Sequence, residues 1–219
     1  MEEALLLSLK LASLTTILLI LLSLFVSYIL AYFSFPAKTF LEGFLMLPIV
    51  LPPTVLGFYM IYLLSPESPV GRFFKEVLGI NFLFSFEGLL LASMIYSLPF
   101  AVFPIRDAFQ GVHRRHVEIA YVFGYSRLET VLRVILPESI GGLLTSASLV
   151  FAHTMGEFGV VLMVGGNIPG ETQTLSIYIY DQVQALNYTQ AHRASLTLLS
   201  VSLLCLSVVL LLRKRWVFR

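Results

Sequence analysis

Five stretches of this chain, residues 11–33, 40–64, 86–105, 140–165 and 194–212, are almost free of charge. Each is close to the length of about 20 residues that a helix needs to cross a bilayer at 1.5 Å per residue. Apolar runs of that length read as membrane-spanning helices. The expected fold class is therefore an all-α polytopic membrane protein with about five transmembrane helices. Composition agrees. The chain is 58% hydrophobic and 12% charged, with a mean hydropathy of +0.88, against about 45–50% and about 25% in soluble domains.

The start, "MEEALLLSLK", is acidic and runs into an apolar stretch longer than a signal core, so it reads as a spanning helix and not a cleaved leader. The segment 174–186 is too short and too polar to be a sixth span. With five spans, ten of the 14 Lys and Arg residues fall on one side: Lys38, Arg106, Arg114, Arg115, Arg127, Arg133, Arg213, Lys214, Arg215 and Arg219. Lys10, Arg72, Lys75 and Arg193 fall on the other. The positive-inside rule then predicts a multi-pass protein of the inner (plasma) membrane, with its N-terminus outside and its C-terminus cytoplasmic. We find no internal repeat, and residues 1–219 read as a single transmembrane domain. The lone Cys205 has no partner for a disulfide and reads as a small hydrophobe. A net charge of +1 gives no reason to expect nucleic acid.

The predicted cytoplasmic loop, residues 106–138, contains "HVEIAYVFGYSRLETVLRVILPES". Gly124 suits a left-handed helix cap. Ser126 with Glu129 makes an S-x-x-E capping box for a second helix. Beyond it Leu128, Val131, Leu132 and Ile135 recur at i, i+3, i+4 and i+7 and predict one apolar face, and Pro137 ends the helix. In the first helix Ala120 and Gly124 lie on one face, open to a close backbone approach, with Val117, Tyr121 and Phe123 adding apolar area. Short helices are marginal in water on their own. Two readings satisfy this: a docking platform for a soluble partner, or a hairpin folded back on its own membrane domain.

Glu118, Ala120, Gly124, Leu136 and Pro137 match the pattern E-A-A-x3-G-x9-I-x-L-P of ABC importer permeases, with Ile119 and Val134 as departures. The stretches "SFPAKTFLEGFLMLPIVLPPTVLGFY", "SLPFAVFPIRDAF" and "GEFGVVLMVGGNIPGETQTLSIYIYDQVQ" resemble the molybdate permease branch, with sulfate and tungstate permeases as near relatives. The resemblance implies a coupling helix that seats on an ATP-hydrolysing subunit through His116, Val117, Glu118, Ile119, Ala120, Tyr121, Phe123, Gly124, Tyr125 and Ser126. It further implies a homodimer with the path between copies, two P-loop ATPase subunits that hold ATP and magnesium, and an extracytoplasmic oxyanion-binding protein. This chain carries no G-x-x-x-x-G-K-[ST], so it is not expected to be an enzyme or to bind a cofactor.

Candidates for the translocation path or gate are Thr54 beside Pro52 and Pro53, Ser97 near Pro99, Ser146 within the stripe Thr145, Ser146, Ser148, and Glu157. An ionisable group in a span is a functional hypothesis by default. Glu157 stands one turn after His153, so it is expected to pair with it, to cap backbone near Gly156 and Gly159, or to belong to a gate. The same pair would serve as a relay in an ion-coupled carrier, which is the alternative class. "NIPGETQT" predicts a type II turn at Pro169–Gly170 on the outer surface, with Thr172 capping the helix that follows. His113, His116 and Glu118 lack the spacing of a metal site.

Overall fold

A computed structural model describes residues 1–217, and Arg219 of the basic C-terminal cluster lies outside the described residues. Among the described residues the chain is helical with no strand. Its elements are α1 (Glu2–Tyr32), α2 (Lys38–Val50), α3 (Pro53–Leu64), α4 (Pro69–Leu78), α5 (Phe86–Gly111), α6 (Arg114–Val122), α7 (Arg127–Thr130), a π-helical turn (Val131–Ile135), α8 (Leu136–Glu138), α9 (Ile140–Gly156), α10 (Gly159–Gly165), α11 (Leu175–Gln184) and α12 (Tyr188–Val217).

Helices α1, α5 and α12 (over Tyr188–Leu211) are each long and apolar enough to cross a membrane alone. Two bent pairs bring the number to five: α2 with α3, and Arg127–Glu138 with Ile140–Gly156. Two of the expected spans are thus not straight helices. Residues 40–64 turn by 110° between α2 and α3, because Pro52 and Pro53 remove two donors and restrict the residues before them. Residues 140–165 break at Glu157 and Phe158, leaving the 17-residue α9 and the short α10.

Helices α1, α5 and α9 pack on one another, and α12 lies against α9. The seams are closed by small and hydroxyl residues as well as apolar ones: Ala12, Thr15, Ser23, Ser27 and Ala101 are fully buried. That is the membrane solution, where close backbone approach replaces a hydrophobic driving force. Ser27 Oγ donates to the Val102 carbonyl at 2.7 Å, and Ser146 Oγ to the Ala101 carbonyl at 3.0 Å. Gly142 marks a close crossing of α9 and α5, for a Cβ there would meet Ala108 and lie 2.8 Å from the Pro104 carbonyl.

Three contacts define the ends of the bundle. Tyr32 Oη donates to the Phe109 carbonyl at 2.8 Å, bringing the last turns of α1 and α5 together. Ser8 Oγ accepts from the Leu175 backbone N–H at 2.8 Å, and Lys10 Nζ sits 4.2 Å from the Phe86 ring centre. The starts of α1, α5 and α11 therefore share one end, while α6 to α8 occupy the opposite end.

Candidate functional site

Helix α6 begins at His113, whose ring accepts from the Arg115 N–H at 3.2 Å, and closes at Gly124 with φ of +82°. Tyr125 N–H returns to the Ala120 carbonyl at 3.0 Å, the left-handed cap expected of Gly124. The Ser126–Glu129 capping box forms in full: Ser126 N–H donates to Glu129 Oε2 at 2.9 Å and Glu129 N–H to Ser126 Oγ at 3.3 Å. The Ser126 N–H and the Ser126 hydroxyl, which donates to Glu129 Oε2 at 2.8 Å, hold the Glu129 carboxyl below its ordinary range.

Helix α6 divides its residues between two directions. Ala120 is buried and Val117 packs into a cluster with Ile105, Phe109 and Ile135, at the feet of α5 and α9. His116 Nδ1 lies 2.7 Å from Glu138 Oε1, a second tie to the base of α9. Ala120 therefore faces its own chain, contrary to the expected approach of a partner backbone there. The outward side carries Glu118, Ile119, Tyr121, Val122 and Phe123, with Val122 86% and Phe123 78% exposed. Val122 belongs to this face and sequence reasoning passed over it, since a lone Val between aromatic residues carries no signal of its own. Tyr125 lies under the Arg133 guanidinium, 5.3 Å from ring centre to Cζ.

The second helix of the loop departs from its expected single apolar face. Ile135 is buried, but Leu128 and Leu132 are exposed. Residues 131–135 wind as a π-helix, with Leu136 N–H reaching back five residues to the Val131 carbonyl, so the later side chains rotate away from the earlier ones. The helix ends at Glu138, one residue past Pro137, and the chain bends by 69° into α9, as expected. Pro137 lacks the N–H that would bond the Arg133 carbonyl, and the widened turn before it accommodates the ring.

At the other end, the two interrupted segments meet. Gly159, at the start of α10, would place a Cβ 2.8 Å from Pro53 Cβ at the start of α3. Gly57 on α3 does the same with Met163 Sδ on α10, at 2.9 Å. Irregular backbone at membrane depth is tolerated where it is covered by protein or lines a cavity. Here it lines one. An open cavity of about 600 Å³ is walled by Pro53, Thr54, Tyr96, Ala152, His153, Gly156, Glu157, Phe158 and Gly159.

The four path candidates separate. Thr54 and Glu157 line this cavity together. Ser97 is buried behind His153, sharing a hydrogen bond of 2.9 Å with its Nδ1 and one of 3.2 Å with Thr154 Oγ1. Ser146 is buried on the Ala101 carbonyl, and Thr145 and Ser148 donate to carbonyls one turn back, so that stripe serves helix packing. The expected His153–Glu157 pair is absent. Glu157 has left the helix (φ −65°, ψ 132°), which destroys the i, i+4 geometry, and both its carboxyl oxygens are without a partner. Tyr96, 4.7 Å from the His153 ring between centres, is a cavity residue that the sequence did not single out.

The loop 166–174 forms its turn through Glu171 N–H to the Ile168 carbonyl at 3.1 Å, with Gly170 at φ +81°. Asn167 and Gln173 both donate to the Asp181 carboxylate, at 2.9–3.0 Å, which fastens the loop to α11. The capping residue is Thr174, which accepts from Ile177 N–H, while Thr172 donates to the Gly165 carbonyl at 2.7 Å.

Residues 10–218 match the family described as "Binding-protein-dependent transport system inner membrane component". The chain is 44% identical over 187 residues to the molybdenum transport system permease protein ModB of Azotobacter vinelandii, covering 85% of this chain and 82% of that one. It is 32% identical over 208 residues to the protein of the same name from Escherichia coli K12, covering 95% and 90%. Among solved structures it superposes on a chain of a bacterial ABC transporter involved in the import of the acidic polysaccharide alginate. That match has a TM-score of 0.78 at 19% identity and covers 97% of this chain and 78% of the other. It speaks for the fold alone.

Proposed function

Because the chain belongs to the family of binding-protein-dependent transport system inner membrane components, we propose that it is the membrane-spanning permease subunit of an ATP-driven molybdate importer. The observation that carries the substrate is the 44% identity to a molybdenum permease across 85% of this chain. The geometry supplies a means. The outward face of α6, from His116 to Ser126, is the seat for an ATPase subunit, with Ile119, Tyr121, Val122 and Phe123 as its apolar anchors. Large apolar and aromatic side chains at the centre of an interface hold most of its binding energy.

Force applied there enters the bundle at two points. Val117 bears on Ile105 and Phe109 at the end of α5 and on Ile135 of the π-turn, and His116 on Glu138. These contacts are packed and hydrogen-bonded, so α6 transmits motion as a rigid lever instead of deforming. The movement it drives is a parting of α3 from α10, which contact each other through two glycines and border the cavity.

In this reading two copies of the chain enclose the path, two P-loop ATPase subunits hold ATP and magnesium on the cytoplasmic side, and a binding protein delivers the oxyanion at the outer end, beside the loop 166–174. The N-terminus is outside and the C-terminus cytoplasmic. Hydrolysis belongs to the partner subunit.

The test is uptake of radiolabelled molybdate into liposomes holding this chain, the ATPase and the binding protein, with and without ATP and against excess sulfate. We expect ATP-dependent uptake that sulfate does not block. Uptake indifferent to ATP and driven by a proton gradient would overturn the reading.

A further inference from the structure

Helix α12 is clamped at its start and loose beyond it. Ala191 and Ala194 are buried, Ala194 in a cluster with Ala4 and Leu175, yet none of residues 195–211 is buried. Where the helix leaves the bundle, a cleft opens between it, α1 and α9. The cleft measures about 310 Å³, and its walls include Thr16 of α1, Ala147, Ser148 and Phe151 of α9, and Cys205 and Val209 of α12.

The two hydroxyls in these walls are spent on their own helices. Thr16 Oγ1 donates to the Ala12 carbonyl and Ser148 Oγ to the Leu144 carbonyl, both at 2.7 Å. The cleft therefore presents almost nothing but hydrocarbon. Water does not fill such a place, because it needs two to four polar partners. Left empty, the cleft forfeits the dispersion contacts of every wall. Its volume equals roughly ten water-sized groups, which suits a run of methylenes.

A second observation lies just beyond the cleft on the same helix. Arg213, Lys214 and Arg215 follow Val209 within six residues, and four of the last seven residues of the chain are Lys or Arg. A basic cluster directly after a spanning helix attracts anionic lipid. Leu204, another wall residue of α12, stands nine positions before Arg213, about 13 Å along a helix. Half of the hydrocarbon core is about 15 Å. The α12 wall of the cleft thus falls within the leaflet whose headgroups meet the basic cluster.

We propose that the cleft between α1, α9 and α12 is the seat of one anionic phospholipid, with an acyl chain in the cleft and the phosphate held by the basic cluster at the end of α12. The lipid replaces the packing that α12 lacks beyond Ala194 and fastens that helix to α1 and α9. The seat depends neither on the ion carried nor on an ATPase partner.

For the test, the full-length chain is reconstituted in bilayers of equimolar phosphatidylglycerol and phosphatidylcholine with identical acyl chains. It is then extracted in mild detergent, and the retained lipid is identified by native mass spectrometry. Wild type should keep one phosphatidylglycerol per chain. Ala147→Phe and Cys205→Phe fill the cleft from opposite walls, and each should abolish that retention with helix content by circular dichroism unchanged. Changing Arg213, Lys214 and Arg215 together to Gln reads the same seat without touching the packing. It should cut the preference for phosphatidylglycerol over phosphatidylcholine by roughly 100-fold. Wild type that keeps no lipid, or keeps both lipids equally, overturns the proposal. Phosphatidylglycerol retained by either folded filler variant overturns it as well, by placing the lipid elsewhere on the surface. An oligomer that the fillers dissociate, with no lipid in wild type, gives the cleft to a second copy of the chain instead.

Discussion

The loop between α5 and α9 and the cavity at Glu157 are both places where proline or glycine interrupts a helix, yet they finish differently. In the loop nearly every freed group finds a partner. Gly124 closes α6, Ser126 and Glu129 cap each other, His116 meets Glu138, and the π-turn absorbs Pro137. At the cavity Glu157 ends a helix without capping it, and it and Ser93 are left unpartnered. In the proposed mechanism the satisfied region is the one that bears load, and the unsatisfied one borders the path.

The contrast breaks most readily at the outward face of α6. Phe123→Asp puts a charge at the centre of the proposed seat. Binding of the ATPase subunit should weaken by about 2–4 kcal/mol, roughly 30- to 1000-fold, measured by co-purification and by surface plasmon resonance on nanodiscs. The permease itself should stay folded, because Phe123 is 78% exposed. Undiminished binding would move the seat elsewhere.

Next in size is Gly142→Leu, aimed at the crossing of α5 and α9 between the two regions. Its side chain would meet Ala108 and the Pro104 carbonyl, and overpacking of this kind costs about 1–3 kcal/mol. A lower thermal midpoint in detergent is expected, and the proposed lever mechanism further requires a loss of coupling between ATP hydrolysis and uptake.

The smallest effect sharpens the claim that the loop is locally self-satisfied. Ser126→Ala removes one cap and should cost about 1 kcal/mol of local stability, read by hydrogen exchange of the amides in α7. The capped Glu129 carboxyl has its folded pKa below the unfolded value. Its contribution is therefore present above the unfolded pKa and disappears as pH falls through the folded one. Protection of α7 should decline on acidification in wild type and respond less in Ser126→Ala.

Much of this was readable from residue order. The apolar runs, the Gly124 cap, the Ser126–Glu129 box and the Pro169–Gly170 turn are all local, set within a few residues by backbone and side-chain chemistry. The misreadings share a cause too. Whether Ala120 faces a partner or its own bundle, whether Leu128 and Ile135 share a face, and whether His153 reaches Glu157 or Ser97 all depend on where helices bend and what lies across the seam. Prolines advertise a bend but not its angle, and a π-turn has no periodicity to read.

Length and apolarity by themselves determined that this chain folds as membrane helices, because lipid offers the backbone no other partner. The order of Lys and Arg set the expected side for the loop. Only the tertiary structure decided that the two interrupted segments meet, that Ser146 serves packing while Thr54 and Glu157 share a cavity, and that Glu157 is left without a partner. Those outcomes depend on contacts between residues dozens of positions apart, through glycines at 57, 142 and 159 whose missing side chains set how closely the helices approach.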